Sequence, residues 1–367
     1  NPVTYVIINI AVVAVIWVGA EQADSGIITQ GKVIALVNYM SQILVELIKM
    51  ANLIIIISKA VACMNRVDSI FKVESSIEDK GRHGSRKPGS QNSGSQNSGS
   101  QNPGPQNSGP QNPALRIPKV EFKDMEFVYA GAKEPALKDI SFCAMAGQTI
   151  GVIGGTGSGK STLVNLIPRF YDAASGQVLV DGTDVKEYSL DELRDKTGVV
   201  PQKSVLFKGT LRDNMRWGKQ DASDEEIYRA LDTAQAREFV DSKGEGLDLY
   251  IDQGGHNLSG GQRQRLTIAR ALVRRPEILI MDDSASALDF ATDARLRKAI
   301  RENTGDMTVF VVSQRATTIK SADTILVLDE GRLAGMGTHK ELLKDCQVYR
   351  EICLSQLSKE EVERDEQ

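Results

Sequence analysis

Cysteine is scarce in these 367 residues. The four present, Cys63, Cys143, Cys346 and Cys353, are too few and too irregularly spaced for a disulfide framework or a C-x-x-C metal site, and fit packing positions in a reducing compartment. Surplus positive charge is missing too: the formal net charge is -4 and the sequence pI about 5.6, so no global basic field draws the chain to nucleic acid. No basic region precedes the first apolar run, and no small-residue cleavage site followed by a mature secreted domain appears, which argues against a secretory signal peptide. The length exceeds the roughly 100–200 residues of one domain, so at least two structural units are expected. A mean hydropathy of -0.23 conceals a strongly apolar first sixth.

That sixth holds two long runs. "VTYVIINIAVVAVIWVGA", Val3 to Ala20, carries no charge and is long enough at about 1.5 Å per residue to cross most of a bilayer core. After a polar loop from Glu21 to Lys32, a second run spans Val33 to Ile57 and includes Asn38, Gln42, Glu46, Lys49 and Asn52. Ionisable groups at membrane depth normally face a bundle interior or wet cavity, so this helix is expected to line something; the alternative is a local Glu46–Lys49 ion pair one turn apart. Apolar residues keep a three-to-four spacing from Ser58 to Ile70, extending the helix, and Lys59, Arg66 and Lys72 mark that end as cytoplasmic. Residues 1–79 therefore read as two membrane helices, at about 3–20 and 33–57, with a cytoplasmic extension.

Residues 80–117 are expected to form a flexible linker: Gly89 to Pro113 are five pentapeptides, GSQNS, GSQNS, GSQNP, GPQNS and GPQNP, with no bulky apolar residue to offset ordering entropy. From 118 to 355 the pattern is globular. "KVEFKDMEFVYA" alternates like a strand, "GQTIGVIGG" is an apolar run ending in glycines, and "ILIMD", "TVFVVSQ" and "TILVLDEGRL" alternate with helical stretches. The fold class is α/β with a mainly parallel core sheet, and the Asp-Glu-Gly turn predicts an edge hairpin. Residues 356–367 are a charged tail, of which Ser358 to Gln367 is expected to fray.

"GGTGSGKST" comprises Gly154, Gly155, Thr156, Gly157, Ser158, Gly159, Lys160, Ser161 and Thr162. It fits the phosphate-loop pattern G-x-x-x-x-G-K-[ST] between a strand and a helix. Its glycines let backbone N–H groups turn toward phosphate oxygens, Lys160 should reach the β/γ-phosphates of ATP, and Ser161 should ligate Mg²⁺.

"LSGGQ", Leu258 to Gln262, lies 20 residues before Asp282. With this string the chain resembles the ATP-binding cassette (ABC) family over nearly its whole length. The resemblance implies a P-loop nucleotide-binding domain with an antiparallel β subdomain and a helical subdomain. It also implies that Ser259, Gly260, Gly261 and Gln262 act in trans on the ATP of a second half-transporter. It places Tyr129 as the aromatic that stacks on adenine, Gln202 as the glutamine that senses Mg²⁺, Asp282 as a Mg²⁺ holder, and Asp289 in the loop coupled to the partner. The apolar runs resemble the fifth and sixth spans of ABC exporters. The resemblance thus implies the C-terminal portion of a longer multi-pass subunit in the cell membrane, lipid around its spans and its nucleotide domain cytoplasmic.

Three positions depart from the family pattern. Brisk hydrolysers carry Glu after the strand-ending Asp and His about thirty residues later; this chain has Asp283 and Gln314. Asp falls roughly 1.5 Å short of Glu in reach, and Gln can neither carry charge nor move a proton. Gln253 stands where exporters usually show Glu. The combination resembles the degenerate half of heterodimeric multidrug-type exporters. A homodimeric pump and a membrane-anchored ATP sensor are the rivals.

Overall fold

The computed structural model describes residues 2–72, 77, 117–284 and 288–366. The repeat run expected to form a flexible linker lies outside the described residues, as do Ala285, Ser286 and Ala287. The chain divides into two compact units, Asn1–Ser76 and Ile77–Gln367.

In the first unit, α1 (Pro2–Asp24) and α2 (Gln30–Phe71) are both long and apolar enough to cross a membrane. The connection between them is shorter than the polar loop expected at 21–32, because Glu21, Gln22 and Asp24 continue the first helix. The expected extension of the second helix is present: α2 runs 42 residues without interruption, about 63 Å at helical rise. Gly19 lets the two helices approach, since a Cβ there would stand 2.7 Å from Val33 Cγ1. Apolar side chains such as Trp17 and the run Ile54, Ile55, Ile56 and Ile57 are exposed, as expected of helices made to face lipid or further helices. Lys49 Nζ lies 2.7 Å from Glu46 Oε1, so the two charges neutralise each other along the helix.

In the second unit the strands are β1 (Val120–Phe127), β2 (Leu137–Ala144), β3 (Thr149–Gly154), β4 (Ser175–Val180), β5 (Thr183–Asp184), β6 (Thr197–Val200), β7 (Gly209–Thr210), β8 (Tyr250–Ile251), β9 (Ile278–Asp282), β10 (Thr308–Val312), β11 (Thr324–Asp329) and β12 (Arg332–Gly337). The main sheet has the order β12-β11-β3-β10-β9-β6. Its pairs are parallel except β11–β12, the hairpin predicted from Asp-Glu-Gly; Glu330 and Gly331 supply its positive φ angles of 44° and 77°. A four-stranded antiparallel sheet, β2-β1-β4-β5, and a short β7-β8 pair complete the unit.

The main sheet is apolar on both faces because strand side chains alternate. In β9, Ile278 and Ile280 join the core shared with the antiparallel sheet, while Leu279 and Met281 join the core beneath the helical segments. In β10, Phe310 and Val312 divide from Val309 and Val311 in the same way. Gly151 of β3 admits the helix Ala316–Ile319 directly onto the strand: a Cβ would stand 2.9 Å from Ile319 Cβ.

The charged tail does not fray. Lys359–Glu366 is helical, Val362 is buried, and Asp365 joins Lys320 at 3.0 Å and His339 Nε2 at 3.4 Å. An apolar position among charges was the only hint of this docking. His339 also shares a 2.7 Å hydrogen bond between Nδ1 and the Tyr349 hydroxyl. Burial pushes its pKa below the ordinary 6.5; Asp365 opposes the shift, and Lys320 and Lys340 add to it. The unfolded chain therefore takes up a proton near pH 6.5 that the folded chain resists, so His339 makes folding stability fall as pH drops below about 6.5. Denaturant midpoints recorded across that window should show the decline, and His339→Gln should reduce its slope; an unchanged slope in the variant would contradict the assignment.

Candidate active site

The carboxyl ends of the parallel strands converge, the usual ligand position of open α/β sheets. β3 runs into the glycine loop, β9 ends at Asp282 with Asp283 next, β10 leads to Ser313 and Gln314, and Gln202 follows β6. Backbone bonds hold these ends in register: Asp283 N donates to Val312 O at 2.9 Å and Ser313 N to Val152 O at 3.0 Å.

The glycine loop folds as its sequence requires. Gly157 and Gly159 take φ of 82° and 97°, open to glycine without Cβ strain. A Cβ on Gly154 would drive into the Leu328 carbonyl oxygen, so that position is closed to any side chain. Lys160 opens a short helix, Lys160–Asn165, and its Nζ donates to the carbonyl oxygens of Gly154 at 2.9 Å and Gly155 at 2.6 Å. Burial lowers its pKa, an effect opposed by Asp283 and Asp282.

Asp282 faces the loop. Ser161 Oγ donates to its Oδ1 at 2.9 Å. Burial raises the Asp282 pKa and neighbouring Asp283 adds to that, while the Ser161 hydrogen bond and Lys160 hold it down. Asp283 sits with φ 45°, a left-handed conformation that Asp tolerates better than most residues. Its Oδ2 accepts from Gln202 Nε2 at 3.2 Å.

Together these residues line a cavity of about 380 Å³ bounded by Tyr129, the loop residues Thr156, Gly157 and Gly159 to Thr162, Gln202, Asp282, Asp283 and Gln314. It collects the chemistry-bearing groups of the unit. Tyr129, expected to stack on a base, is 39% exposed. Its hydroxyl lies 2.7 Å from Thr162 Oγ1, and its ring meets Phe127 edge-on at 4.7 Å between centroids. Neither the Tyr129–Thr162 link nor the part played by Ser313 and Ala136 in the lining was signalled by spacing, since 33 residues separate the linked pair.

These residues fit a nucleotide and a hard divalent cation. Ser158 Oγ is buried in the loop without a protein partner, which suits a donor meant for an added acceptor. Ser161 Oγ, the Asp282 carboxylate and the Gln202 carbonyl make an oxygen donor set of the kind Mg²⁺ takes.

Two expected groups lie outside the cavity. Ser259 caps the helix Gly260–Leu272: its Oγ accepts from Gln262 N at 3.3 Å, and Gln262 Oε1 accepts from Ser259 N at 2.9 Å. Gly260 and Gly261 form the first turn, so the signature is a prebuilt capped helix start. Asp289 caps the helix Phe290–Asn303, accepting from Thr292 N and Oγ1 at 2.9 and 2.8 Å. Those bonds hold its carboxyl below the usual range, the backbone bond first. Gln253 opens the 3-10 turn Gln253–Gly255 and is exposed.

The ABC transporter family model matches residues 137–286. An uncharacterized ABC transporter ATP-binding protein of Mycobacterium tuberculosis is 40% identical over 358 residues, 97% of this chain and 57% of that protein. An ATP-dependent lipid A-core flippase of Haemophilus influenzae is 43% identical over 240 residues, 65% of this chain and 41% of the flippase. The solved structure of a bacterial Atm1-family ABC exporter with ATP bound aligns with a TM-score of 0.66 at 31% identity, over 90% of this chain and 53% of its own. The chain thus matches between 41% and 57% of the length of these proteins.

Proposed function

Because the chain carries an ABC transporter ATP-binding domain preceded by two apolar helices, we propose that it is one half of a heterodimeric ATP-driven exporter in the cell membrane. Its own site holds ATP-Mg²⁺ and hydrolyses it slowly. Its signature helix start completes the hydrolytic site of a different partner chain. The observation that supports this reading is the cavity's composition: it is lined by Lys160, Ser161 and Asp282, groups suited to binding, beside Asp283 and Gln314, groups poorly suited to hydrolysis. Asp283 is moreover engaged by the Gln202 amide.

Within this reading Lys160 and the loop N–H groups bind phosphate oxygens, and Ser161, Asp282 and Gln202 hold the cation. When bound, the cation supplies charge neutralisation across the phosphates. Asp283, one methylene short, contributes little general-base help, and Gln314 offers a neutral hydrogen bond.

Purification of the protein from its native membrane with its associated chain tests the pairing. The partner should carry Glu and His at the positions corresponding to Asp283 and Gln314. In the isolated pair, Asp283→Asn should leave most ATP turnover intact, whereas Ser259→Ala should lower it on the order of tenfold through loss of one charge-assisted hydrogen bond. Turnover that collapses with Asp283→Asn would point to a homodimer with two equivalent sites instead.

A further inference from the structure

The backbone that carries Gln314 is clasped by a side chain far along the sequence. Gln356, the last residue of the helix Gln347–Gln356, donates from Nε2 to Gln314 O at 2.7 Å and accepts at Oε1 from Ala316 N at 2.9 Å. A primary amide held at both ends in this way fixes the orientation as well as the position of residues 314–316, because neither bond can be kept if that segment rotates.

The second bond has a clear local reason. Ala316 is the first residue of the helix Ala316–Ile319, whose cap residue, Arg315, makes no side-chain cap bond. The Ala316 N–H is one of the orphan donors of a helix start, and Gln356 caps it from another helix. The platform behind Gln356 is firm: Tyr349 and Cys353 of its helix are buried, and Tyr349 is fastened to His339 at 2.7 Å. The helix Lys359–Glu366 then returns to Lys320, just past the clasped segment, through Asp365 at 3.0 Å. On its other side the segment presents Gln314 to the cavity that Lys160 and Asp283 also line.

We infer that Gln356 is a positioning residue: it sets the backbone from which Gln314 meets the terminal phosphate of a bound nucleoside triphosphate, and so makes the C-terminal helix part of the discrimination between ATP and ADP. This rests on the proposed reading of the cavity as a nucleotide site with Gln314 at the γ-phosphate. Its reach is specific, because ADP has no group at that position and should not notice the clasp.

The test uses the whole chain in detergent micelles, titrated separately with Mg²⁺-ATP and Mg²⁺-ADP. Gln356→Met keeps the side-chain bulk and removes both hydrogen bonds; Gln314→Ala removes the group acted on; the double variant measures their coupling. The Gln356→Met change should weaken ATP roughly five- to tenfold and leave ADP within about twofold, as befits a phosphate hydrogen bond misaligned rather than removed. The double variant should bind ATP no worse than Gln314→Ala, since both act through one contact. Gln356→Asn, with the amide on a shorter arm, should fall between parent and Met, and gives a second reading if Met disturbs the helix end. Equal losses for ATP and ADP, additive losses in the double variant, or a Gln314→Ala variant indistinguishable from the parent would each overturn the inference. An unchanged ratio in Gln356→Met beside a lowered one in Gln314→Ala would overturn it while leaving the cavity reading intact. A parent chain that binds neither nucleotide would remove the cavity reading and this inference together.

Discussion

Replacing Asp283 by Glu and Gln314 by His in the same chain is expected to raise Mg²⁺-ATP hydrolysis at its own site by roughly 10²-fold or more, since each restored group is worth ~10²–10⁴ in rate. The geometry supports a change of this kind at both positions. Asp283 already lines the cavity opposite Lys160 and beside Asp282, and lengthening its side chain by about 1.5 Å carries the carboxylate past the Gln202 amide that now engages it at 3.2 Å. Gln314 is held at the cavity wall by the Gln356 clasp on its carbonyl, so a histidine there inherits a fixed backbone. The cost is modest. Asp283 has φ 45°, which Glu tolerates less well, by about 1 kcal/mol. That is small beside the gain expected in the barrier, roughly 3 kcal/mol for a 10² rate change. Phosphate release at saturating Mg²⁺-ATP measures it, with each single substitution beside the pair. A doubly substituted chain that binds ATP as the parent does and hydrolyses it no faster would show that slowness does not originate in these two side chains. Fast hydrolysis by the parent, abolished by Asp283→Asn, would assign the ordinary two-site homodimer.

The distribution of what the sequence disclosed follows from the range of the interactions involved. The glycine loop was legible because its requirements are local: φ of 82° and 97° at Gly157 and Gly159 and a forbidden Cβ at Gly154 leave little choice of residue. The parallel sheet was legible because strands buried on both faces read as unbroken apolar runs, as in Ile278 to Met281. The signature string was legible only through the family resemblance, and the structure adds the local reason for its form: Ser259 and Gln262 cap one another at the start of the helix. Interactions between distant residues left no such trace. Gln356 reads as the first residue of the charged tail, yet it bonds the backbone 40 and 42 residues away. The tail from Lys359 is mostly charged, and only the burial of Val362 and the pairing of Asp365 with Lys320 turn it into a docked helix. The polar residues of α2 were ambiguous for a related reason: a pair one turn apart satisfies itself whatever the helix faces, and Glu46 and Lys49 do so.

Lys160→Met should lower Mg²⁺-ATP affinity by roughly 10²-fold or more, while the fold survives. The ammonium lies within the cavity and bonds two loop carbonyls, Gly154 O and Gly155 O, so it does two things at once. It braces the curled loop, and it keeps a positive charge where the phosphates are expected to lie. The brace is replaceable, because the loop's course is already dictated by its glycines and by the backbone packing of Gly154 against Leu328. The charge is not. Asp282 and Asp283 both favour the protonated lysine against the desolvation that lowers its pKa; without it the cavity keeps two carboxylates and presents a repulsive field to an incoming triphosphate. Two charge-assisted phosphate contacts at ~1.5–3 kcal/mol each correspond to ~10²–10⁴ in affinity. Methionine matches the length of the apolar stem, so the buried methylene packing is largely kept and the melting temperature should change little. Titration with Mg²⁺-ATP compares the two chains directly. Binding by the methionine variant equal to that of the parent would place the nucleotide outside this loop and remove Ser161 and Asp282 from its cation site with it.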